Sequence, residues 1–327
     1  MHQDRRFATI DALRGLAAIG VMLFHVRQDV SLRLPGGYLA VDLFFGLSGF
    51  VIAQAYGHRL AQGMTPREFL ERRAIRLWPM LALGAMLGIL LHGGHAGMLF
   101  LLPNWVSPRL LYPANPPLWS LLFEMVAYAG FALLLHRLGT RALLMIATAS
   151  GLALAAYAAT PMRFADLGAD WASFAAGLAR VGYSFTAGVL AWRLGMQGTR
   201  TSGLAWLLAL PLIAAFLIIG EDDNLAALLA VLVGVPLMVV AASRVEVTGR
   251  GLAALLGDAS YPLYCIHVPL LALLAGASEL AIFGTCAALI VLSAALERRF
   301  DRPVRRWLEN RRRRAQARRQ TRIGIST

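Results

Sequence analysis

FATIDALRGLAAIGVMLFHV, residues 7–26, is an apolar run of the length that crosses a bilayer as one helix. Arg14 and His25 interrupt it, eleven residues apart. That separation is about three helical turns, or about 16 Å of rise, so the two side chains lie on nearly one face. Charge inside a membrane helix is costly, which makes each such residue a functional candidate. One face of the first span therefore carries a fixed cation toward one membrane surface and a titratable base toward the other.

Apolar stretches of similar length recur through all 327 residues. The chain is 58% hydrophobic and only 15% charged, with a mean hydropathy of +0.62, well outside the range of a soluble domain. The pattern predicts an all-α, polytopic membrane helix bundle of about ten spans, with limits near 7–26, 37–57, 77–95, 118–136, 142–159, 172–192, 203–220, 224–242, 254–275 and 279–297. Residues 1–300 are expected to form the membrane domain and 301–327 an arginine-rich cytoplasmic tail. The first span resembles a signal peptide, but Asp11 and Arg14 break its apolar stretch, so an uncleaved helix is expected. No internal repeat is visible, which weighs against many transporter folds.

All 31 basic residues are arginine. With the N-terminus inside, twenty-five fall on the cytoplasmic side and four, Arg27, Arg33, Arg109 and Arg163, outside. This bias supports an even number of spans with both termini cytoplasmic. Twelve arginines follow Leu296, which reads as a tail facing anionic lipid and not as a nucleic-acid site. Thr65–Arg76 is short, cationic and amphipathic, and is expected to lie along the inner interface. Cys265 and Cys286 lie in apolar spans and form neither a disulfide framework nor a metal-ligand pattern. No metal is expected.

Depth follows from this topology. His25, Asp42, Trp119, Ser120 and Glu124 fall in outer halves of spans, and Arg14, Arg72, Arg73 and Arg76 fall inward. A neutral imidazole takes a hydroxyl proton near physiological pH, so His25 is the best general base. A carboxylate would hold its tautomer, and Asp42 and Glu124 are both at suitable depth. Arg14, Arg73 and Arg76 are suited to phosphate oxygens, which a guanidinium fork matches bidentately. His267 follows Tyr261-Pro262-Leu263-Tyr264 in the ninth span, and Arg180 is an intramembrane charge with no partner readable from sequence. A transporter or flippase for a sugar or lipid is the rival reading of the same buried charges.

At these residues the chain closely resembles acyltransferase family 3, the integral membrane acyltransferases. Ile10-Asp11-Ala12-Leu13-Arg14-Gly15 with Phe24-His25 looks like the family's opening Arg-x10-His signature. Val41-Asp42-Leu43-Phe44-Phe45 with Ser48, Arg72-Arg73-Ala74-Ile75-Arg76, Pro117-Leu118-Trp119-Ser120 with Glu124 and Tyr128, and Ser260–Tyr264 with His267 follow in order over nearly the whole chain. Met125 stands where relatives often have a second acidic residue, and Asp301 where a glutamate is usual. The fused periplasmic hydrolase-like domain of many relatives is not expected here. The resemblance implies transfer of an acyl group, commonly acetyl, from cytoplasmic acyl-CoA to a hydroxyl of a cell-surface or exported carbohydrate or glycolipid, in a bacterial inner membrane. It implies Arg14, Arg72, Arg73 and Arg76 at the CoA phosphates. Ser48, Trp119, Ser120, Tyr128 and His267 are expected along the substrate path. A covalent acyl-histidine route is the alternative to direct transfer.

Overall fold

The computed structural model describes residues 7–106, 109–195 and 200–324. The N-terminal six residues, with Arg5 and Arg6, lie outside them, as do the last three residues of the tail. The fold is an all-α bundle. Its helices are α1 (Ala8–Phe24), α2 (Ala40–Ala61), α3 (Pro66–His92), α4 (Leu118–Leu133), α5 (Thr140–Ala158) and α6 (Phe174–Arg193). They continue with α7 (Ala209–Ile218), α8 (Asn224–Leu229), α9 (Val235–Arg244), α10 (Arg250–Leu271), α11 (Glu279–Leu296) and α12 (Arg302–Gly324). A parallel pair of three-residue strands, β1 (Arg200–Ser202) and β2 (Val245–Val247), is the sole sheet among the described residues. Six helical segments are long and apolar enough to cross a membrane, and Leu118–Leu133 and Gly203–Ile218 are shorter apolar helices. Large apolar side chains such as Met145, Leu152, Ile218, Leu280 and Val291 point outward, which is stable only where lipid is the solvent.

Local signals set the boundaries. Thr65 caps α3 by accepting from the Glu68 backbone N–H at 3.2 Å, with Pro66 pre-set at the first helical position. The cationic stretch after Thr65 leads into the third span without a break. It is the first half of one continuous helix that reaches His92. The tail is likewise continuous: α11 passes through a π turn at Glu297–Asp301 straight into α12, so the 300/301 boundary falls inside one helical rod.

The central packing is α1 on α10 and α2 on α6. Gly49 and Gly188 permit the second contact: a Cβ on Gly49 would run into the Phe185 backbone, and one on Gly188 into the Gly46 backbone. Small residues let membrane helices approach this closely, where dispersion and polar contacts replace the hydrophobic effect. At the Asp42 end of this contact sits the partner of Arg180. Its Nη2 meets Asp42 Oδ2 at 2.6 Å and its Nε meets Oδ1 at 3.2 Å, both side chains having no exposed surface. The Arg180 Nη1 donates to the carbonyls of Leu167 at 2.9 Å and Phe164 at 3.4 Å, and the guanidinium carbon lies 5.2 Å from the Trp119 ring centroid.

Two prolines lie inside α10, at 262 and 269. Pro269 has no N–H for the Cys265 carbonyl, and the buried Asn115 side chain donates to that carbonyl at 2.9 Å and to Gly84 O at 3.1 Å. One amide thus ties the α3–α4 connection to α3 and to α10 beside His267.

Arg180→Ala is expected to lower stability by on the order of 3–5 kcal/mol, because it strands Asp42 in a low-dielectric interior. Thermal unfolding of detergent-purified protein measures this. The paired replacement Arg180→Met with Asp42→Leu should recover most of the loss, whereas a non-coupled arginine would give additive losses.

Candidate functional site

His25 ends α1, and its Nδ1 lies 2.8 Å from Val21 O, one turn back. His267 is fully buried one turn beyond Leu263, with its Nδ1 3.0 Å from the carbonyls of both Leu263 and Tyr264. The two rings meet at 3.2 Å between His267 Nε2 and His25 Nδ1, their centroids 5.0 Å apart. Carbonyl oxygens only accept, so they settle the tautomers. His267 keeps its proton on Nδ1 and presents a bare Nε2. His25 Nδ1–H is then shared between Val21 O and that lone pair. The remaining nitrogen, His25 Nε2, carries a lone pair and is the basic atom of the couple.

The hydrogen bonds of His25 thus run to a histidine and a carbonyl, and neither expected carboxylate is brought to it. Asp42 is occupied by Arg180, as described above. Glu124 is held by Ser48 Oγ at 2.8 Å and by a short bond from Tyr128 OH. Arg73 Nη2 donates to the same Tyr128 oxygen at 3.0 Å, with its guanidinium 4.7 Å from that ring centroid. Arg73, Tyr128, Glu124 and Ser48 therefore form one internal chain of opposite charges joined by hydroxyls. Arg72 lies elsewhere, paired with Glu68 at 2.8 Å and Glu309 at 3.6 Å. Trp119 packs against Arg180, and Ser120 Oγ meets Tyr264 OH at 2.6 Å.

Three spaces follow one another along the α1–α10 seam. At the Arg14 end is a polar cavity of about 460 Å³ lined by Arg14, Arg76, Asp258 and the α12 arginines Arg302, Arg305 and Arg306. A narrow space of about 30 Å³ shares Arg14 and Ser260 with it and continues along Glu124, Ser120 and Tyr264. One turn beyond Tyr264 stands His267, and beyond it His25 opens on a third cavity of about 210 Å³. This last one is walled mainly by aliphatic residues of α10 and the turn that follows it. Its rim is fixed by Arg27, which donates to Ala277 O at 3.1 Å and pairs with Asp29 at 2.8 Å.

The arrangement offers a cationic cavity, a narrow polar throat and a pre-set imidazole base in series. Of the expected phosphate ligands, Arg14 and Arg76 line the cavity, and Arg72 and Arg73 are committed to other partners. Arg302, Arg305 and Arg306 were not singled out from sequence, although their spacing places them on one helix face. The His25–His267 pairing joins residues 242 apart and left no local signal.

The family profile described as "Acyltransferase domain" matches residues 7–296. "Protein 2 in picA locus" of Rhizobium radiobacter is 46% identical over 83 residues, 25% of this chain and 44% of that protein. Exopolysaccharide production protein ExoZ of Rhizobium meliloti (strain 1021) is 32% identical over 124 residues, 34% of this chain and 38% of ExoZ. O-acetyltransferase OatA of Staphylococcus aureus is 35% identical over 81 residues, 24% of this chain and 13% of OatA. The aligned region spans less than half the length of each of these relatives. No solved structure matches.

If the two larger cavities open to opposite membrane faces, single cysteines report it. Cys265 and Cys286 are buried and leave a low background. Ala275→Cys is expected to react with a membrane-impermeant maleimide in intact cells, and Arg306→Cys only in inside-out vesicles. Labelling of both from one side contradicts the arrangement.

Proposed function

The chain belongs to this acyltransferase family, and from that membership we propose that it transfers an acyl group, acetyl in the first instance, from cytoplasmic acyl-CoA to a hydroxyl of a cell-surface or exported carbohydrate. The single observation that carries the reading is the serial placement of the arginine-lined cavity, the throat and the His25–His267 couple along one helix seam. The names of two relatives, one for exopolysaccharide production and one for O-acetyl transfer, support the carbohydrate acceptor and the acetyl group. The arginine asymmetry supports a cytoplasmic Arg14 end, and with it a bacterial inner membrane in which the acceptor arrives from outside.

The residues at the inner cavity suit the donor. Arg14 and Arg76 present guanidinium forks to a space large enough for a nucleotide-sized group. Bound acyl-CoA would supply an activated acyl carbonyl and a thiol leaving group. In the throat, Ser120 and Tyr264 offer hydroxyls and Phe44 an apolar wall. His25 Nε2 removes the proton of the acceptor hydroxyl as that oxygen attacks the acyl carbon. The bond from acyl carbon to sulfur breaks, and the His25 imidazolium returns its proton to the sulfur. His267, neutral and accepting from His25 Nδ1–H, holds the ring in the productive tautomer, as an aspartate does in a hydrolase triad. The Arg73–Tyr128–Glu124–Ser48 chain positions the throat and balances its charge internally.

His25→Ala is expected to lower transfer from radiolabelled acetyl-CoA in isolated membranes by at least about 10²-fold, the usual weight of a general base. Undiminished transfer overturns the role. For His267, the account separates two replacements. Leucine, which removes the acceptor for Nδ1–H, should cost on the order of 10-fold or more in rate, and glutamine, whose amide oxygen can accept, should restore part of it. Equal rates for the two variants would remove His267 from the mechanism.

A further inference from the structure

The inner cavity has a wall that the tail supplies. Arg302, Arg305 and Arg306 stand at spacings of three and four residues on the first turns of α12 and line it together with Arg14 and Arg76. This part of the tail is anchored. Asp301, fully buried, meets Arg76 at 3.4 Å and Arg305 at 3.0 Å, so α3 and α12 are joined at the cavity edge. Arg302 meets Glu297 at 3.1 Å and also bonds Asp258, while Arg305 meets Glu297 at 2.5 Å. Farther along, Glu309 pairs with Arg72 at 3.6 Å and Arg312 with Glu68 at 3.7 Å, fixing the helix to α3 a second time. Among the described residues, Arg14 and Arg306 have no carboxylate partner, so their forks are available to a ligand.

We propose that the first turns of α12 form part of the donor site, with Arg302, Arg305 and Arg306 joining Arg14 and Arg76 in holding the phosphates of a 3′-phosphorylated adenosine diphosphate group. The proposal rests on the reading of acyl-CoA as donor and assigns it residues that the tail's lipid-facing reading left out. The lining is mixed: Asp11, Asp258 and Glu297 share the cavity with the five guanidiniums. A bare anion gains nothing from those carboxylates. A nucleotide does, because its amino and ribose hydroxyl groups donate to carboxylates while its phosphates accept from arginine. The volume of about 460 Å³ falls within the range of small-molecule sites. The anchoring ion pairs hold the arginines in place before the ligand arrives, which lowers the ordering cost of binding.

The test is calorimetric titration of purified full-length protein in nanodiscs with adenosine 3′,5′-bisphosphate. Arg306→Gln removes an exposed side chain outside the anchoring pairs, and Arg306→Lys keeps the charge without the fork. Arg306→Gln is expected to weaken binding on the order of 10-fold, with a parallel rise in KM for acetyl-CoA, and Arg306→Lys to lie between it and the unaltered protein. The effect should be the same in phosphatidylcholine discs with or without phosphatidylglycerol. Unchanged affinity for Arg306→Gln, with binding still weakened by Arg14→Gln, overturns the tail wall and leaves the donor reading intact. No bisphosphate binding by the unaltered protein removes the donor reading itself. If Arg306→Gln alters only a stabilisation by phosphatidylglycerol, the arginines serve lipid headgroups and the proposal fails.

Discussion

Arg180 and Asp42 meet at 2.6 Å with no exposed surface, inside a chain whose outer side chains are apolar. Neither charge is tolerable there alone, because desolvation in a low-dielectric medium costs several kcal/mol for each ion after relaxation. Together they oblige α2 and α6 to stay in register, and the Leu167 and Phe164 carbonyls that complete the arginine's donors draw the outer connection over the pair. Gly49 and Gly188 let the two helices come close enough for that geometry. Trp119, stacked against the same guanidinium, then fixes the start of α4, and with it the depth of Ser120, Glu124 and Tyr128. The throat is downstream of this one pair.

The same economy of polar groups runs along the α1–α10 seam. Partners restrict the state of several titratable groups there: carbonyls dictate the histidine tautomers, the Tyr128 hydroxyl bridges Glu124 to Arg73, and carboxylates bind Arg76, Arg302 and Arg305 at the Arg14-end cavity. The result is a series of compartments with different chemistry. The one at the Arg14 end is polar and rich in guanidinium, the middle one is narrow, and the one at the His25 end is apolar except for His25 and Arg27.

Much of the fold was legible in the sequence because membrane spans are written locally. Hydropathy places most of the helical segments within a few residues of those observed, the start of α3 at Pro66 being the exception, and helical periodicity places Arg14 and His25 on one face. What the sequence left open is pairing across distance. Asp42 looked available to His25 because depth alone was known; its partner Arg180 lies 138 residues away. Arg73 read as a phosphate ligand because a guanidinium fork matches phosphate oxygens; that its Nη2 donates to Tyr128 OH, 55 residues away, was not readable. The tail's composition says nothing of the contacts that hold α12 to α3, which are made by Asp301 with Arg76, Glu309 with Arg72 and Glu68 with Arg312. His267 was visible as a histidine in an apolar span after Pro262, but its contact with His25 depends on the α1–α10 packing.

The account's central claim is that donor and acceptor meet from opposite faces at the His25–His267 couple. Membrane vesicles of defined orientation test it most directly, using acetyl-CoA labelled in the acetyl group, which does not cross the bilayer. Inside-out vesicles, with the Arg14 cavity outward, are predicted to incorporate label into carbohydrate enclosed in the lumen and protected until detergent is added. Right-side-out vesicles should incorporate none. Labelling from the right-side-out face, or a product left on the same side as the donor, would contradict the claim.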